Sequence, residues 1–249
     1  MKLRYITCSD AREQLPPDAA IKLLSDFPIA ELAIQTHPTK MSVSMPRRKW
    51  FDELLRNVRN NPKKLNLAVH VNLDWCNLFC RGIIAPDLLD LFFLTQTDGT
   101  PVIKRWQINI HGSKTPLFQA DNIARIIANY PDREYIFQYA SSEYNRIRRL
   151  DQTGVKFSVL YDASGGQGKA PRNWRAPWNP NIPQGYSGGI SPDNVAGNLD
   201  KIARVVSDRE SIWIDAEGKL KNPETRLFDI NRAREYISNA LAWSKNNTK

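Results

Sequence analysis

Cysteine and histidine are both scarce in this chain, with three of each in 249 residues. An odd cysteine number argues against a disulfide framework. Cys76 and Cys80 lie close together in Trp75-Cys76-Asn77-Leu78-Phe79-Cys80. A zinc site needs more ligands, the nearest candidates are His70 and His111, and the spacing matches no common arrangement. No metal is expected, and the segment reads as a partly buried apolar loop. No apolar run reaches the roughly 18 residues of a membrane span. The opening Met1-Lys2-Leu3-Arg4 alternates charge with apolar residues and lacks the apolar core of a signal peptide. A soluble, cytoplasmic protein is the expectation. Low-complexity tracts and a visible domain boundary are also lacking. The first strand runs into Ser9-Asp10-Ala11-Arg12 with no glycine, whereas an open doubly wound sheet would more often show a glycine fingerprint there.

What is present is a chain 41% hydrophobic and 24% charged, enough for one sizeable core. Its net charge is +9, which favours anionic partners. The basic residues are spread out, as in Arg47-Arg48-Lys49, Arg146 to Arg149 and Arg232 to Arg234. Several fall on helix faces, where charge usually means solvation. With no nucleic-acid motif beside them, a small anionic substrate is the expected partner rather than nucleic acid.

Apolar strands alternate with amphipathic helices from end to end. Strands are expected at residues 3–8, 30–35, 65–71, 102–110, 134–139, 155–161, 185–189 and 211–215. Helices are expected between them, beginning near Asp18, Pro46, Pro86, Asp121, Ser142, Pro192 and Asp229. The sixth strand is the exception, because residues 171–183 hold four prolines and two tryptophans and read as a long loop. Eight βα units predict an α/β chain that closes as a single (β/α)8 TIM barrel over residues 1–249. Loops 72–82 and 167–185 follow strands, and so fall on the face where such barrels do chemistry.

The strand ends carry a polar ring: Cys8, Ser9 and Asp10; His37 and Lys40; His70 and Asn72; Asn109 and His111; Gln138 and Tyr139; Asp162; Gly188 and Gly189; Asp215 and Glu217. Asp162 ends a wholly apolar strand and is followed by Ala-Ser-Gly-Gly, so it is poorly explained as a helix cap. Gly165 and Gly166 follow it, and Gly188-Gly189 lead to Ser191-Pro192. Glycines let backbone N–H groups approach a ligand, and a helix start adds unpaired donors. Acid chemistry beside an anion cradle predicts a sugar phosphate or related anion. Cys8 is a base only if its thiolate is favoured; as a lone strand-end cysteine it also reads as a small core residue.

These motifs resemble the phosphoribosylanthranilate isomerase family of tryptophan biosynthesis. The family's Leu-Asp-Ser followed by Gly-Gly-x-Gly-Lys is similar to Tyr161-Asp162-Ala163-Ser164-Gly165-Gly166-Gln167-Gly168-Lys169. Its Ala-Gly-Gly-Leu-x-Pro-Glu-Asn-Val is similar to Ser187-Gly188-Gly189-Ile190-Ser191-Pro192-Asp193-Asn194-Val195. Weaker matches are Val69-His70-Val71-Asn72, Asn109-Ile110-His111-Gly112 and Ile214-Asp215-Ala216-Glu217-Gly218. The resemblance spans nearly the whole chain. It implies a cofactor-free Amadori rearrangement of an aminoaldose phosphate, with Asp162 as the general acid that opens the ribose ring. A cysteine ending strand one would be the base at C2, and the phosphate would lie on Gly188, Gly189 and the N–H groups near Ser191.

Three departures fall on the ligand face. Hydrophobic register puts Thr7, rather than Cys8, at the family's base position, and one residue of slip turns a strand side chain to the other face. Glu217 enters where the family binds phosphate, and Lys219 or Arg226 would have to offset its charge. The family's arginine after strand two has no clear match; Lys40 is nearest, and Arg47 or Arg48 could reach instead. Two other readings stay open: a lyase or isomerase whose Asp162, Asp215 and Glu217 handle another ligand around a divalent cation, and a non-catalytic binding protein using Trp75, Trp174 or the basic surface.

Overall fold

The computed structural model of the chain describes residues 1–42, 44–110, 117–162, 164, 167–208 and 210–247. Its strands are β1 (Lys2–Ser9), β2 (Ala30–Thr36), β3 (Asn66–Val71), β4 (Arg105–Ile108), β5 (Glu134–Tyr139), β6 (Ser158–Asp162), β7 (Gln184–Ser187) and β8 (Ser211–Ala216). They pair in parallel and in sequence order, and β8 closes on β1. The helices are α1 (Pro17–Asp26), α2 (Pro38–Met41), α3 (Pro46–Arg59), α4 (Leu73–Cys80), α5 (Leu89–Phe92), α6 (Ala120–Asn129), α7 (Tyr144–Asp151), α8 (Val195–Ala203) and α9 (Ile230–Asn247). The chain is therefore a (β/α)8 barrel of the α/β class, as the alternation predicts. Among the described residues no helix is long and apolar enough to cross a membrane.

The main apolar core lies between barrel and helices. It takes Ile6 and Cys8 of β1, Leu32 and Ile34 of β2, Val69 and Val71 of β3, and the inner faces of α1, α3, α6, α8 and α9. The alternate strand positions point into the barrel. There a small apolar cluster of Ile136, Leu160 and Trp213, with Tyr5 against it, sits beside a charged floor. The Arg105 guanidinium is 4.2 Å from the Tyr5 ring centre and 4.7 Å from that of Trp213. It pairs with Glu31 at 2.6 Å and Glu134 at 3.0 Å, and Thr7 donates to the same Glu31 oxygen at 2.8 Å. Gly185 makes room for the Trp213 indole: a Cβ on it would lie 2.1 Å from ring atom Cε2.

Several elements differ from expectation. Residues 73–80 form helix α4 rather than an open loop, because Trp75, Cys76, Phe79 and Cys80 recur on one buried stripe. The apolar stretch after Pro86 is one turn followed by the four-residue α5. β4 is shorter than the apolar run around it, spanning Arg105–Ile108. α8 begins at Val195 rather than Pro192, since Asn194 Oδ1 takes the Ser191 N–H at 2.8 Å and holds a turn there. Between β6 and β7 no helix occurs among the described residues, as the prolines imply.

Candidate active site

The C-terminal ends of the strands enclose a cavity of about 760 Å³. Two kinds of wall face each other across it. The β2–β5 side presents carboxamides: Gln35, Asn72, Gln107, Asn109 and Gln138. The β6–β8 side presents Asp162, Ser187, Asp215 and, just beyond the last strand, Glu217. Strand parity explains the grouping, because residues two apart on a strand share a face.

Asp162 and Asp215 stand at one level. Both are register partners of Ser187, from opposite sides. Neighbouring strands are about 4.8 Å apart, so two spacings leave roughly 9–10 Å between the two backbones. Asp162 accepts from Gln138 Nε2 on one oxygen at 2.8 Å. Its other oxygen accepts from the Ser164 N–H at 3.0 Å and the Ser164 hydroxyl at 2.7 Å. Both carboxyl oxygens are therefore met by donors. Asp215 is buried in the cavity wall, and burial pushes its pKa up to about 8 against one hydrogen bond from Ser9 at 2.5 Å. The charges of Glu217, Glu31 and Asp162 push the same way. At neutral pH Asp215 therefore carries its proton.

Glu217 lies at the mouth. Its pKa is also raised, by desolvation and by Asp10. Gln35 donates to it at 3.0 Å, and Lys221 sits 3.6 Å away. Lys221 is 2.8 Å from Asp10, which is buried at φ 66° and also pairs with Arg12. Glu217 is thus tethered into a network rather than left loose.

The amide wall is continuous. Asn109 donates to Asn72 at 2.7 Å, Asn72 to Gln35 at 2.7 Å, and Gln107 to Asn109 at 2.9 Å. With its oxygen taken by Asn72, Gln35 turns its NH₂ to Glu217 and to His70 Nδ1, 3.1 Å away. His70 Nδ1 is therefore the acceptor and Nε2 carries the ring proton. Nε2 lies 4.0 Å from Asp215 Oδ2. Burial, then the Arg105 charge, lowers the His70 pKa to about 3, so the ring is neutral.

The expected site residues divide between the cavity and elsewhere. Asp162, Asp215, Glu217, Gly188, Gly189 and Gly218 line the cavity. Cys8 does not. Its neighbours Thr7 and Ser9 point inward to Glu31 and Asp215, so Cys8 packs in the outer core with Tyr236 of α9. Burial pushes its thiol far above the usual range. Cys8 is thus removed from proton transfer in the cavity; Thr7 faces inward, but donates to Glu31. Lys40 is exposed on α2 and is not in the cavity wall. Ser191 is buried, with its N–H taken by Asn194. His111, Gly165 and Gly166 lie outside the described residues.

Gly188 and Gly189 serve packing first. A Cβ on Gly189, at φ 66°, would meet the Ala170 nitrogen at 2.3 Å. One on Gly188 would meet Asp162 Oδ1 and the Lys169 carbonyl, both at 3.1 Å. The segment after β6 lies against these glycines. Trp75 and Trp174 are both buried, Trp174 against Tyr186 and Asn198, so neither is a docking residue. Cys76 lines the cavity but donates to the Asn109 carbonyl at 3.4 Å. Among the described residues no group of three or more His, Cys, Asp or Glu is placed to hold a metal ion.

Gln35, Gln107 and Ser187 were not among the expected site residues. The available signal was parity: each is a polar residue inside a buried strand, two positions from, or level with, a residue already in the ring. Compared with models of protein families and with curated proteins, the chain matches none.

Proposed function

We propose that the chain is a barrel isomerase that moves a proton between neighbouring carbons of an aldose-type sugar derivative. Asp215 and Asp162 act as the acid and base in this reading. The observation that carries it is the pair of carboxyl groups level with Ser187 in one cavity. One of them holds its proton near neutral pH, and the other takes hydrogen bonds on both oxygens.

Asp215 gives its proton to the ring oxygen, and the C1–O bond breaks. The lone pair of the C1 amine nitrogen forms a C1=N iminium as that bond breaks; Asp162 takes the proton from C2, the C–H pair forms a C1=C2 double bond and the C=N pair returns to nitrogen. Asp162 then gives that proton to C1, and the C2 hydroxyl gives its proton to Asp215, which leaves a ketone at C2 and both carboxyl groups as they began. Protons balance, and no co-reactant is consumed. General acid and base each supply about 10²–10⁴-fold. The neutral His70 holds its Nε2–H toward Asp215 and steadies the carboxylate left after transfer. An Amadori rearrangement of an aminoaldose phosphate has this form, which keeps the resemblance to phosphoribosylanthranilate isomerases as the reading of the reaction. The acid and base are reassigned, because Cys8 faces the helices.

The test is proton exchange at C2 in D₂O, followed by NMR over aminoaldose and aldose phosphates. Deuterium incorporation should fall at least about 100-fold in Asp162→Asn and in Asp215→Asn, while Cys8→Ala keeps activity within about threefold. Exchange that survives both aspartate changes, or is lost with Cys8→Ala in a folded protein, contradicts the proposal.

A further inference from the structure

We infer that the deep end of the cavity is a subsite for an uncharged, hydroxyl-bearing carbon chain centred on Ser187, and that any anionic group of the ligand is held at the mouth by Lys219 and Arg226. This rests on reading the cavity as a sugar site and names which part of the sugar goes where.

The first observation is an orphan. Ser187 is 8% exposed, lines the cavity, and its Oγ has no hydrogen-bond partner. A buried hydroxyl left unpaired is costly. It sits level with Asp162 and Asp215, on the strand between them.

The second observation is charge placement. The deep wall consists of neutral amides and a neutral His70 opposite Asp162 and the strongly buried Asp215. A phosphate driven in there would face two carboxyl groups and find no cation lining the deep end among the described residues. Amides and hydroxyls, which both donate and accept, match sugar hydroxyls instead.

Backbone of residues 169–170 packs on Gly189, and the Ser191 N–H is already taken. Cations line the cavity only at its rim, among the described residues: Lys219 and Arg226, both exposed and neither paired with a carboxylate. Glu217 shares that rim, with its carboxylate held by Gln35 and Lys221. Lys221 nearby is committed to Asp10.

Calorimetric titration tests this without turnover, using erythritol, ribitol and glucitol, their monophosphates and inorganic phosphate. At least one polyol should bind, and its phosphate ester should bind roughly tenfold tighter or better. In the doubly substituted Lys219→Ala, Arg226→Ala protein the ester should fall to within about threefold of the polyol, whose own affinity stays unchanged. Ser187→Ala should weaken polyol and ester alike by about five- to tenfold. The inference is overturned if no polyol binds, if the ester keeps its advantage in the double variant, or if Ser187→Ala changes nothing. Because exchange at C2 is measured separately, the expected binding pattern without exchange sinks the proposed reaction alone. Exchange with the wrong pattern sinks the subsite alone.

Discussion

Asp215 shows how one residue's surroundings decide its chemistry. In the unfolded chain its carboxyl titrates near the usual aspartate value of about 3.9; folded, it titrates near 8. Below pH 4 both states are protonated, and burial of the group carries no ionic penalty. As pH rises from 4 to 8 the unfolded chain ionises first, so stability is lost across that window and levels off above it. The predicted outcome is that Asp215→Asn flattens this part of the stability profile. At pH 8–9 it should stabilise the protein by about 2 kcal/mol or more, since each pKa unit corresponds to about 1.4 kcal/mol. Urea midpoints across pH 4–9 for both proteins check it; parallel profiles would contradict the assignment. His70 acts at the other end. Its depressed pKa favours the fold above pH 6.5, and that contribution is lost as pH falls toward 3.

At the scale of elements, the strands do most of the positioning. β7 is four residues long, yet it sets both the barrel filling and the reacting groups: Gly185 yields to Trp213, and two residues on Ser187 stands between the aspartates. An alanine at Gly185 would place its Cβ 2.1 Å from the indole, so Gly185→Ala should cost about 2–3 kcal/mol. Combining it with Trp213→Leu should recover part of that loss, a coupling that a double-mutant cycle by thermal or urea unfolding reads directly. Additive losses would show that Trp213 does not depend on the glycine.

The same elements show what was legible beforehand. Periodicity located all eight strands, because an apolar run bounded by turn residues has few other uses in a repeating βα chain. It did not locate α4, because that helix spans only about two turns and its stripe of Trp75, Cys76, Phe79 and Cys80 is too short for a helical period to stand out. At the end of β1 the signals divided: hydrophobic register put Thr7 at the inward position, whereas the resemblance pointed to a cysteine there. The bonds of Thr7 and Ser9 to Glu31 and Asp215 agree with the register and turn Cys8 outward. Asp162 was legible because nothing local explained it. Ser187 was hidden because its significance lies in its register with two other strands, a relation across some 25 residues on either side that no local pattern encodes.

Taken whole, the molecule is a barrel with two polarised ends. The floor buries an ion cluster, with Arg105 stacked between Tyr5 and Trp213 and paired to Glu31 and Glu134. Arg105→Met would leave Glu31 without its cation and should cost about 3–5 kcal/mol. The further change Glu31→Gln should restore part of it, as unfolding midpoints would show; a neutral single variant would mean that the cluster contributes no stability. The Arg105 charge also reaches upward, helping to keep His70 neutral beside Asp215. Floor and cavity are therefore electrostatically linked, and the Arg105 variant should raise the His70 pKa.

The account depends most on Asp215 holding a proton at neutral pH in an open cavity while Asp162 faces it. Carbon-13 NMR of labelled aspartate carboxyls, with Asp215 assigned by its loss in Asp215→Asn, measures this without knowledge of the substrate. A titration midpoint near 8 is the predicted result. A midpoint near the ordinary aspartate value of about 4 would contradict it and remove the proton donor from the proposed chemistry.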